Sequence, residues 1–380
     1  MTYKHLGTFS DMVDEARRHG LLYPFAPPGP ETQRKVHEVL GWCDRPEVAQ
    51  DVQVERAWQK DGLDGEEISW SVGYGPRTHA WFLKPSGAEG RLPAVMALFD
   101  HGGFKYYGKE KIAEGPEKPE PFIRKWWDVY YGGRAWPNAL AKEGFAVLVP
   151  DVFLWGSRKF PEEVIRAALG DQVNAGIVKN QRDTYGIPEE IAMYNAMTNA
   201  HEHLVSKYCN QLGTGLPGVV SHEDRIALNY LRSREDVQPQ NMAVAGLSGG
   251  GHRAGLLRAT VRRLKAAVIV GLMSTYEGLL DHNINSHTWM FYPFGWSRYG
   301  DWTDLVACQA PASLLVQYDE DDNLFTPQGM QDAHVRLQKH YRSVGRPEAY
   351  TGQFYPGPHK FDLDMQQAAF DWLKSQLMEK

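Results

Sequence analysis

The sequence has little cysteine, no long hydrophobic run and no excess of basic residues. Its three cysteines, Cys43, Cys209 and Cys308, are too few and too scattered for a disulfide framework or a zinc knuckle. The longest apolar stretch, 266–273, is much shorter than the roughly 20 residues of a membrane-spanning helix. Residues 1–18 contain no apolar signal core. Acidic residues outnumber basic ones by 47 to 41, so no broad basic surface favours nucleic acid.

A secreted miniprotein, a membrane protein and a nucleic-acid binder are therefore poor fits. The 380 residues, 42% hydrophobic and 23% charged, have the composition of a soluble globular protein. We expect a cytoplasmic enzyme with no nucleic-acid or membrane partner, and self-association into a homo-oligomer stays open. The glycine-rich segment 246–251 lacks the P-loop and dinucleotide-binding patterns, so no cofactor is expected. No metal is expected either, because His201 and His203 would point in different directions on a helix.

Hydrophobic periodicity divides the chain into a helical extension over residues 1–65 and a catalytic α/β domain over 66–380. In the second part, short apolar runs alternate with helical patterns, which indicates a mostly parallel sheet flanked by helices. The predicted strands cover 68–72, 78–83, 93–99, 145–149, 242–245, 267–270, 313–316 and 353–355, and a final helix is predicted over 362–377.

Two insertions, residues 151–221 and 273–304, interrupt this alternation. The first contains two predicted helices, each opened by Pro-Glu-Glu, and the second is rich in aromatic residues. Both leave the carboxyl end of a predicted strand, where open α/β sheets place their active sites. Trp289, Tyr292 and Trp296 in the second insertion are therefore expected to bind substrate, with a packed lid or an oligomer contact as the alternative.

The sharpest chemical signal is the segment Gly246–Gly250, the one G-x-S-x-G of the chain, with Ser248 at its centre. An apolar strand precedes it and a helical pattern follows, which is the context of a nucleophile elbow. The glycines two residues before and after the serine avoid collisions on a tight turn. The N–H group of Gly249 would point at the oxyanion that develops during acyl transfer. The motif thus predicts a serine nucleophile.

A serine hydroxyl needs a base within hydrogen-bond reach, and in this motif the acid and then the histidine follow the serine along the chain. Five histidines lie beyond the elbow and its helix: His282, His287, His334, His340 and His359. We predict His359 as the base, because it lies in a Gly/Pro loop between a strand and the last helix. His334 and His340 fall within a predicted helix, whereas His282 and His287 are expected to line a pocket. The acid comes from the run of four carboxylates at 319–322, which follows a predicted strand.

A His-Gly-Gly segment follows the strand at 93–99 and is the candidate oxyanion loop. Its glycines let backbone N–H groups approach the scissile carbonyl, and either Gly103 or Phe104 would supply the donor beside Gly249. His101 precedes the nucleophile, so it is expected to brace this loop rather than act as the base. The lysine-rich run 105–111 is expected to be solvated surface rather than an anion site.

Together these motifs resemble the α/β-hydrolase superfamily, in particular bacterial dienelactone-hydrolase-like and acetyl-xylan-esterase-like esterases. The resemblance covers about residues 66–378. Asn-Leu-Phe-Thr-Pro after Asp322 is similar to the loop that follows the acid in these hydrolases, so the resemblance implies a triad of Ser248, Asp322 and His359, with Asp321 as the alternative acid. Two departures stand out. Dienelactone hydrolases have a cysteine where this chain has Ser248, and sugar-ester deacetylases usually have a glutamine where it has Gly249.

The predicted function is hydrolysis of a small-molecule carboxylic ester through an acyl-enzyme intermediate. A small acyl group on a carbohydrate or an aromatic alcohol is the preferred substrate class, by analogy with the family. A lactonase, a thioesterase and a peptidase of the same fold are the alternatives among enzymes. A non-catalytic binding module with an α/β-hydrolase-like fold is the alternative outside them.

Overall fold

The apolar runs of the sequence form one sheet in the computed structural model, which describes residues 3–170, 173–281 and 283–378. The strand order is β1-β2-β3-β5-β4-β6-β7-β8-β9. The strands are β1 (Gln50–Lys60), β2 (Leu63–Ser71), β3 (Thr78–Pro85), β4 (Leu92–Leu98), β5 (Ala146–Pro150), β6 (Val237–Leu247), β7 (Ala266–Val270), β8 (Ser313–Asp319) and β9 (Tyr350–Tyr355).

Strands β1, β2, β3 and β5 pair antiparallel, and every pair from β5 through β4 to β9 is parallel. The central strands are apolar along their length because helices cover both faces of the sheet. In β4, Met96 and Leu98 belong to one core, whereas Val95 and Ala97 belong to the core on the opposite face. The mostly parallel sheet flanked by helices that the sequence predicts is therefore confirmed.

The helices cover both faces and fill the connections between strands. They are α1 (Asp11–His19), α2 (Pro30–Leu40), α3 (Pro121–Tyr130), α4 (Trp136–Lys142), α5 (Glu162–Leu169), α6 (Ala175–Tyr185), α7 (Glu189–Gln211), α8 (Leu216–Ser233), α9 (Gly249–Thr260), α10 (Trp302–Ala307), α11 (Pro327–Ser343) and α12 (Leu363–Leu377). Across the described ranges, none of these helices has the length and apolar character needed to span a bilayer.

The first 65 residues are not purely helical. Helices α1 and α2 are present, but β1 pairs with β2 at the edge of the sheet, and the boundary expected at residue 65 falls inside β2. Edge strand β1 is mostly exposed, with Val52 and Val54 facing solvent. A strand that is exposed along most of its length has no alternation of buried and exposed positions, so its sequence gives no strand signal.

The two predicted helices of the first insertion are α5 and α7. The short helix between them, α6, was not predicted, because its sequence is largely polar and exposed. It begins where the Asn174 side chain accepts hydrogen bonds from the N–H groups of Gly176 and Ile177. The aromatic insertion at 273–304 contains short 3₁₀ turns and ends in the start of α10.

Candidate active site

Ser248 lies on a sharp turn between β6 and α9, at the carboxyl edge of the parallel strands. Its φ of 57° and ψ of −119° are strained for a residue with a side chain, at a cost of about 1–3 kcal/mol. The turn is fixed by a 2.9 Å hydrogen bond from the Ser248 N–H to the carbonyl of Val270 in β7. A Cβ atom on Gly246 would lie 2.6 Å from the Gly250 carbonyl carbon, so the glycine spacing has the steric cause that the sequence suggests.

His359 lies in the loop between β9 and α12, and its ring is hydrogen-bonded to Asp322. The distance from His359 Nδ1 to Asp322 Oδ2 is 2.6 Å. The other carboxylate oxygen of Asp322 accepts the N–H of Leu324 at 2.9 Å, and the carboxylate is almost fully buried. Nδ1 is therefore the protonated nitrogen, and Nε2 is left with a lone pair for accepting a proton.

The charge state of His359 depends on this pair. Burial alone would favour the neutral ring, but the hydrogen bond and negative charge of Asp322 outweigh burial and raise the pKa of His359 above its ordinary value. The imidazolium that forms when the ring accepts a proton is thereby stabilised, as a general base requires.

The other carboxylates of the acidic run have different surroundings. Asp321 is exposed, and its Oδ2 accepts the N–H of Gly357 at 2.9 Å, which ties the two loops together. Asp319 is buried at the end of β8 and accepts the N–H of Lys360 at 3.1 Å. Burial, with the nearby charge of Asp322, raises the pKa of Asp319 to about 7. Asp322 is thus the carboxylate of this run that is hydrogen-bonded to the imidazole.

Ser248 and His359 line the same cavity, whose volume is about 260 Å³. No hydrogen bond joins the two side chains within the described ranges. Such bonds are often long before substrate is bound and shorten in the reacting complex. The walls of the cavity come from the oxyanion loop, from α3, from the start of α9 and from the aromatic insertion, and they include Gly102, Trp126, Tyr130, His252, His287, Thr288 and Leu324.

In the oxyanion loop, the two backbone N–H groups expected to bind an oxyanion already have acceptors within the protein. The N–H of Gly103 donates to His101 Nδ1 at 3.0 Å, and the N–H of Phe104 donates to the His101 carbonyl at 3.1 Å. The N–H groups of Gly102 and Gly249 have no acceptor among the described residues, and both residues line the cavity. The geometry therefore favours Gly102, rather than Gly103 or Phe104, as the partner of Gly249. A His-Gly-Gly sequence alone does not show which amide is occupied by the histidine ring.

His101 braces the loop, as expected, and Glu202 of α7 holds its ring. His101 Nδ1 accepts a hydrogen bond, so its Nε2 carries the proton that it donates to Glu202 Oε2 at 3.0 Å. Lys105 Nζ contacts the same oxygen at 2.6 Å, and the hydroxyl of Thr288 donates to Oε1 at 2.6 Å. Glu202 is buried, yet the charge of Lys105 keeps its pKa well below the ordinary value. One carboxylate thus joins the oxyanion loop to the aromatic insertion.

The lysine-rich run after this loop is not solvated surface, contrary to expectation. Its three lysines are buried and each meets a buried carboxylate: Lys105 with Glu202, Lys109 with Asp151 and Lys111 with Asp100. A buried ion pair is costly to break, since one unpaired charge would remain in the interior. Each of these lysine charges is thus already paired within the protein, and the pairs hold the loop beside Ser248.

The three aromatic residues expected to bind substrate lie outside the cavity wall. Trp296 is fully buried, and its Nε1–H donates to the carbonyl of Asp301. Trp289 is 42% exposed and donates to His203, while the Tyr292 hydroxyl donates to the carbonyl of Ile284. The 3₁₀ turns of the insertion fold these side chains onto the protein. The aromatic side chains that do line the cavity, Trp126 and Tyr130, belong to α3 instead.

Trp126 and Tyr130, one turn apart on α3, form the aromatic wall. Their rings lie 4.7 Å apart, and the Tyr130 ring lies 6.4 Å from the ring of His359. The aromatic composition of residues 126–131 suggests that this segment could meet the aromatic insertion across the cleft, and Trp126 and Tyr130 do line the cavity. His252, in the first turn of α9, also lines the cavity and was not singled out from the sequence.

The remaining histidines take other positions. His287 lines the cavity, as expected, and contacts the carbonyl of Leu324 through Nε2 at 2.9 Å. His334 contacts the Tyr350 hydroxyl and His340 contacts Asp304, both on α11 and outside the cavity wall. His282 lies outside the described residues.

One group in the described part of the chain has the spacing of metal ligands: Asp319, Asp322 and His359, whose ligand atoms lie within 4.8 Å of one another. Two of the three side chains are already joined by the hydrogen bond between His359 Nδ1 and Asp322 Oδ2. Asp319 adds a buried carboxyl group beside this pair.

Comparison with known proteins supports the same fold. No family model matches the chain. YtaP of Bacillus subtilis (strain 168), named as a hydrolase, is 23% identical over 272 residues, which are 71% of this chain and 74% of YtaP. A Bacteroides fragilis protein named as an acetyl xylan esterase has a TM-score of 0.66 at 15% identity, over 92% of this chain and 87% of that one.

Two further solved structures superimpose over nearly the whole chain. Acetyl xylan esterase 1 from a Thermoanaerobacterium species has a TM-score of 0.55 at 13% identity, over 97% of this chain and 99% of its own. A glucuronoyl esterase from Solibacter usitatus has a TM-score of 0.55 at 11% identity, over 99% of this chain and 94% of that one. The chain has the α/β-hydrolase fold, as its motifs predicted. Within that fold it is similar to the acetyl xylan esterases.

Proposed function

We propose that the protein is a serine esterase that hydrolyses carboxylic esters through an acyl-enzyme intermediate on Ser248. The observation that carries this proposal is the shared cavity. A serine on a strained strand-to-helix turn and an imidazole hydrogen-bonded to a buried carboxylate line the same small space. The similarity to proteins named as hydrolases and esterases supports the same reaction class.

In the first half of the reaction, Ser248 Oγ attacks the ester carbonyl carbon while His359 Nε2 takes the hydroxyl proton. The carbonyl oxygen becomes an oxyanion, and Asp322 stabilises the imidazolium without becoming protonated. When the tetrahedral intermediate collapses, the bond to the alcohol oxygen breaks, and His359 gives its proton to the departing alcohol. The acyl group remains on Ser248.

The second half repeats the steps with water. His359 takes a proton from water, the resulting hydroxide attacks the acyl carbon, and Ser248 Oγ leaves with the proton that His359 returns. In both halves, the N–H groups of Gly102 and Gly249 would stabilise the oxyanion, and the N-terminal end of α9 adds its dipole. Each such donor typically contributes about 3–4 kcal/mol to transition-state stabilisation.

The substrate that fits best is a small acyl ester of a carbohydrate. The cavity of about 260 Å³ is smaller than the roughly 300–1,000 Å³ typical of sites for drug-sized ligands, which favours a short acyl group. Several similar structures are named as acetyl xylan or glucuronoyl esterases, which supports a sugar ester. An aromatic alcohol would also find a partner in the wall formed by Trp126 and Tyr130.

The activity itself is tested with p-nitrophenyl esters of increasing acyl length. We expect the acetate to be hydrolysed with the highest kcat/KM and the rate to fall by at least about tenfold by the hexanoate, because the cavity cannot hold a longer chain. A folded protein that hydrolyses none of these esters, nor an acetylated xylo-oligosaccharide, would contradict the proposal and favour the binding module.

The pH dependence of hydrolysis should follow His359. The ring acts as a base only when neutral, so activity is lost as the pH falls through its raised pKa. We expect the acid limb of kcat/KM to have an apparent pKa above the ordinary value of a histidine, and Asp322→Asn to move that limb to lower pH. Because Asp319, His359 and Asp322 lie together, the apparent pKa of this limb is a property of the three coupled groups rather than of one residue. An acid limb at or below the ordinary histidine value would contradict this account.

Glu202→Gln should lower kcat by roughly 10- to 100-fold with little change in KM, because a displaced oxyanion loop loses part of its stabilisation of the transition state. The amide keeps the size of the carboxylate but cannot accept hydrogen bonds from both His101 and Thr288. Steady-state kinetics with p-nitrophenyl acetate measure the effect, and Glu190→Gln, exposed on the same helix, is the control. If kcat of Glu202→Gln falls only in proportion to the fraction of folded protein, the positioning role of Glu202 is wrong.

A further inference from the structure

His252 is a buried histidine in the wall of the catalytic cavity that the mechanism above does not use. It lies in the first turn of α9, four residues after Ser248, and both residues line the same cavity. Its side chain is 2% exposed and borders the cavity beside the nucleophile.

Both ring nitrogens of His252 lack a hydrogen-bond partner within the described ranges. The neighbouring histidines differ, since His101, His287 and His359 each have a partner. A buried polar atom without a partner costs about 1–3 kcal/mol of stability, and native proteins rarely keep one without a reason. At the wall of a reaction cavity, a bond to the substrate is such a reason.

The surroundings of His252 determine its hydrogen-bonding character. The rings of Phe291 and Trp302 pack against it at 4.5 Å and 5.6 Å, and the ring of His287 lies 6.5 Å away. Burial keeps the pKa of His252 well below its ordinary value, with a further contribution from His287, so the ring is neutral. A neutral imidazole has one N–H donor and one bare nitrogen acceptor.

These properties select a hydroxyl group as the partner. A hydroxyl can both donate and accept, so it can pair with whichever ring nitrogen faces the cavity. An anionic group is disfavoured, because no lysine or arginine belongs to the described cavity wall, whereas Asp100 does. An alkyl group would leave the imidazole unpaired.

We propose that His252 determines substrate specificity by hydrogen-bonding a hydroxyl group next to the scissile ester. This proposal rests on the proposed esterase function and adds the chemical class of its substrate. The hydroxyl can belong to the alcohol, as in a sugar with a hydroxyl beside the esterified one, or to the acyl group, as in a 2-hydroxy acid. The chemistry of recognition is the same in both cases, and the experiment separates them.

Two pairs of esters differ only in a hydroxyl and a methyl group. On the alcohol side, 2-hydroxyethyl acetate is compared with propyl acetate, and on the acyl side, ethyl glycolate is compared with ethyl propanoate. The ratio of kcat/KM within each pair is measured for wild type, His252→Leu, His252→Phe and His252→Gln. Dividing by the ratio for hydroxide-catalysed hydrolysis removes the intrinsic difference in reactivity.

In wild type, one pair should favour the hydroxyl ester by about tenfold after this correction, which corresponds to one hydrogen bond. His252→Leu and His252→Phe should abolish the preference, and His252→Gln, which keeps a donor and an acceptor, should restore much of it. The exposed His5→Leu should retain the wild-type ratio. The pair that responds identifies the side of the ester that carries the hydroxyl.

Wild type that hydrolyses the alkyl esters but shows no hydroxyl preference in either pair would overturn this inference and leave the esterase function intact. A preference that survives His252→Leu or His252→Phe would overturn it as well. Failure to hydrolyse any ester would instead contradict the proposed function. If neither apolar variant folds, the absence of a hydroxyl preference in wild type still overturns the inference.

Discussion

Ser248→Ala should lower kcat for p-nitrophenyl acetate by at least about 10⁴-fold, because no acyl-enzyme can form without the hydroxyl. The backbone N–H groups of Gly102 and Gly249 remain in place, so residual activity above the uncatalysed rate is expected from oxyanion stabilisation alone. The alanine keeps the turn geometry, and the cavity gains only the volume of one oxygen atom.

The control for this variant is Ser375→Ala, an exposed serine on α12, which should hydrolyse the ester at the wild-type rate. Thermal unfolding of both variants shows whether the fold is retained. If Ser248→Ala is folded and keeps its activity, another group is the nucleophile and the proposed mechanism is wrong.

Asp322→Asn should lower kcat by about 10⁴-fold, since the amide no longer stabilises the imidazolium or fixes the tautomer of His359. The carboxylate that is lost contacts His359 Nδ1 at 2.6 Å and is almost fully buried. The variant should remain folded, because the asparagine side-chain oxygen can still accept the N–H of Leu324.

Asp321→Asn is the matched comparison, one residue away in the same loop. Asp321 is exposed and contacts a backbone N–H rather than the imidazole, so we expect a change within about threefold, as for most surface substitutions. If kcat falls strongly in Asp321→Asn and only slightly in Asp322→Asn, the acid is Asp321 and the assignment to Asp322 is wrong.

The parts of the fold and site that depend on local sequence could be predicted. Ser248 could be located because the glycine spacing, the apolar strand and the following helix are all encoded within a short segment. His359 is the histidine in a Gly/Pro loop before the last helix, and the structure places it beside Asp322. The parallel strands could be found because burial on both faces leaves an uninterrupted apolar run.

The features that depend on contacts between distant segments could not be predicted. Glu202 is 101 residues from His101 in the chain, and nothing near either residue indicates that they meet. The aromatic insertion packs against the protein because Trp296 is buried in the core and donates a hydrogen bond to a backbone carbonyl. The composition of the insertion does not reveal these contacts. The N–H of Gly103 donates to the side chain of His101, two residues earlier, and this contact depends on the geometry of the loop.

The central claim is that Ser248 is an activated nucleophile, and labelling with a fluorophosphonate tests it without a choice of substrate. Mass spectrometry of the digested adduct should place the phosphonyl group on the peptide that contains Ser248, with one adduct per chain and none on Ser248→Ala. An adduct on a different residue, or no adduct on a folded protein that hydrolyses esters, would contradict the account.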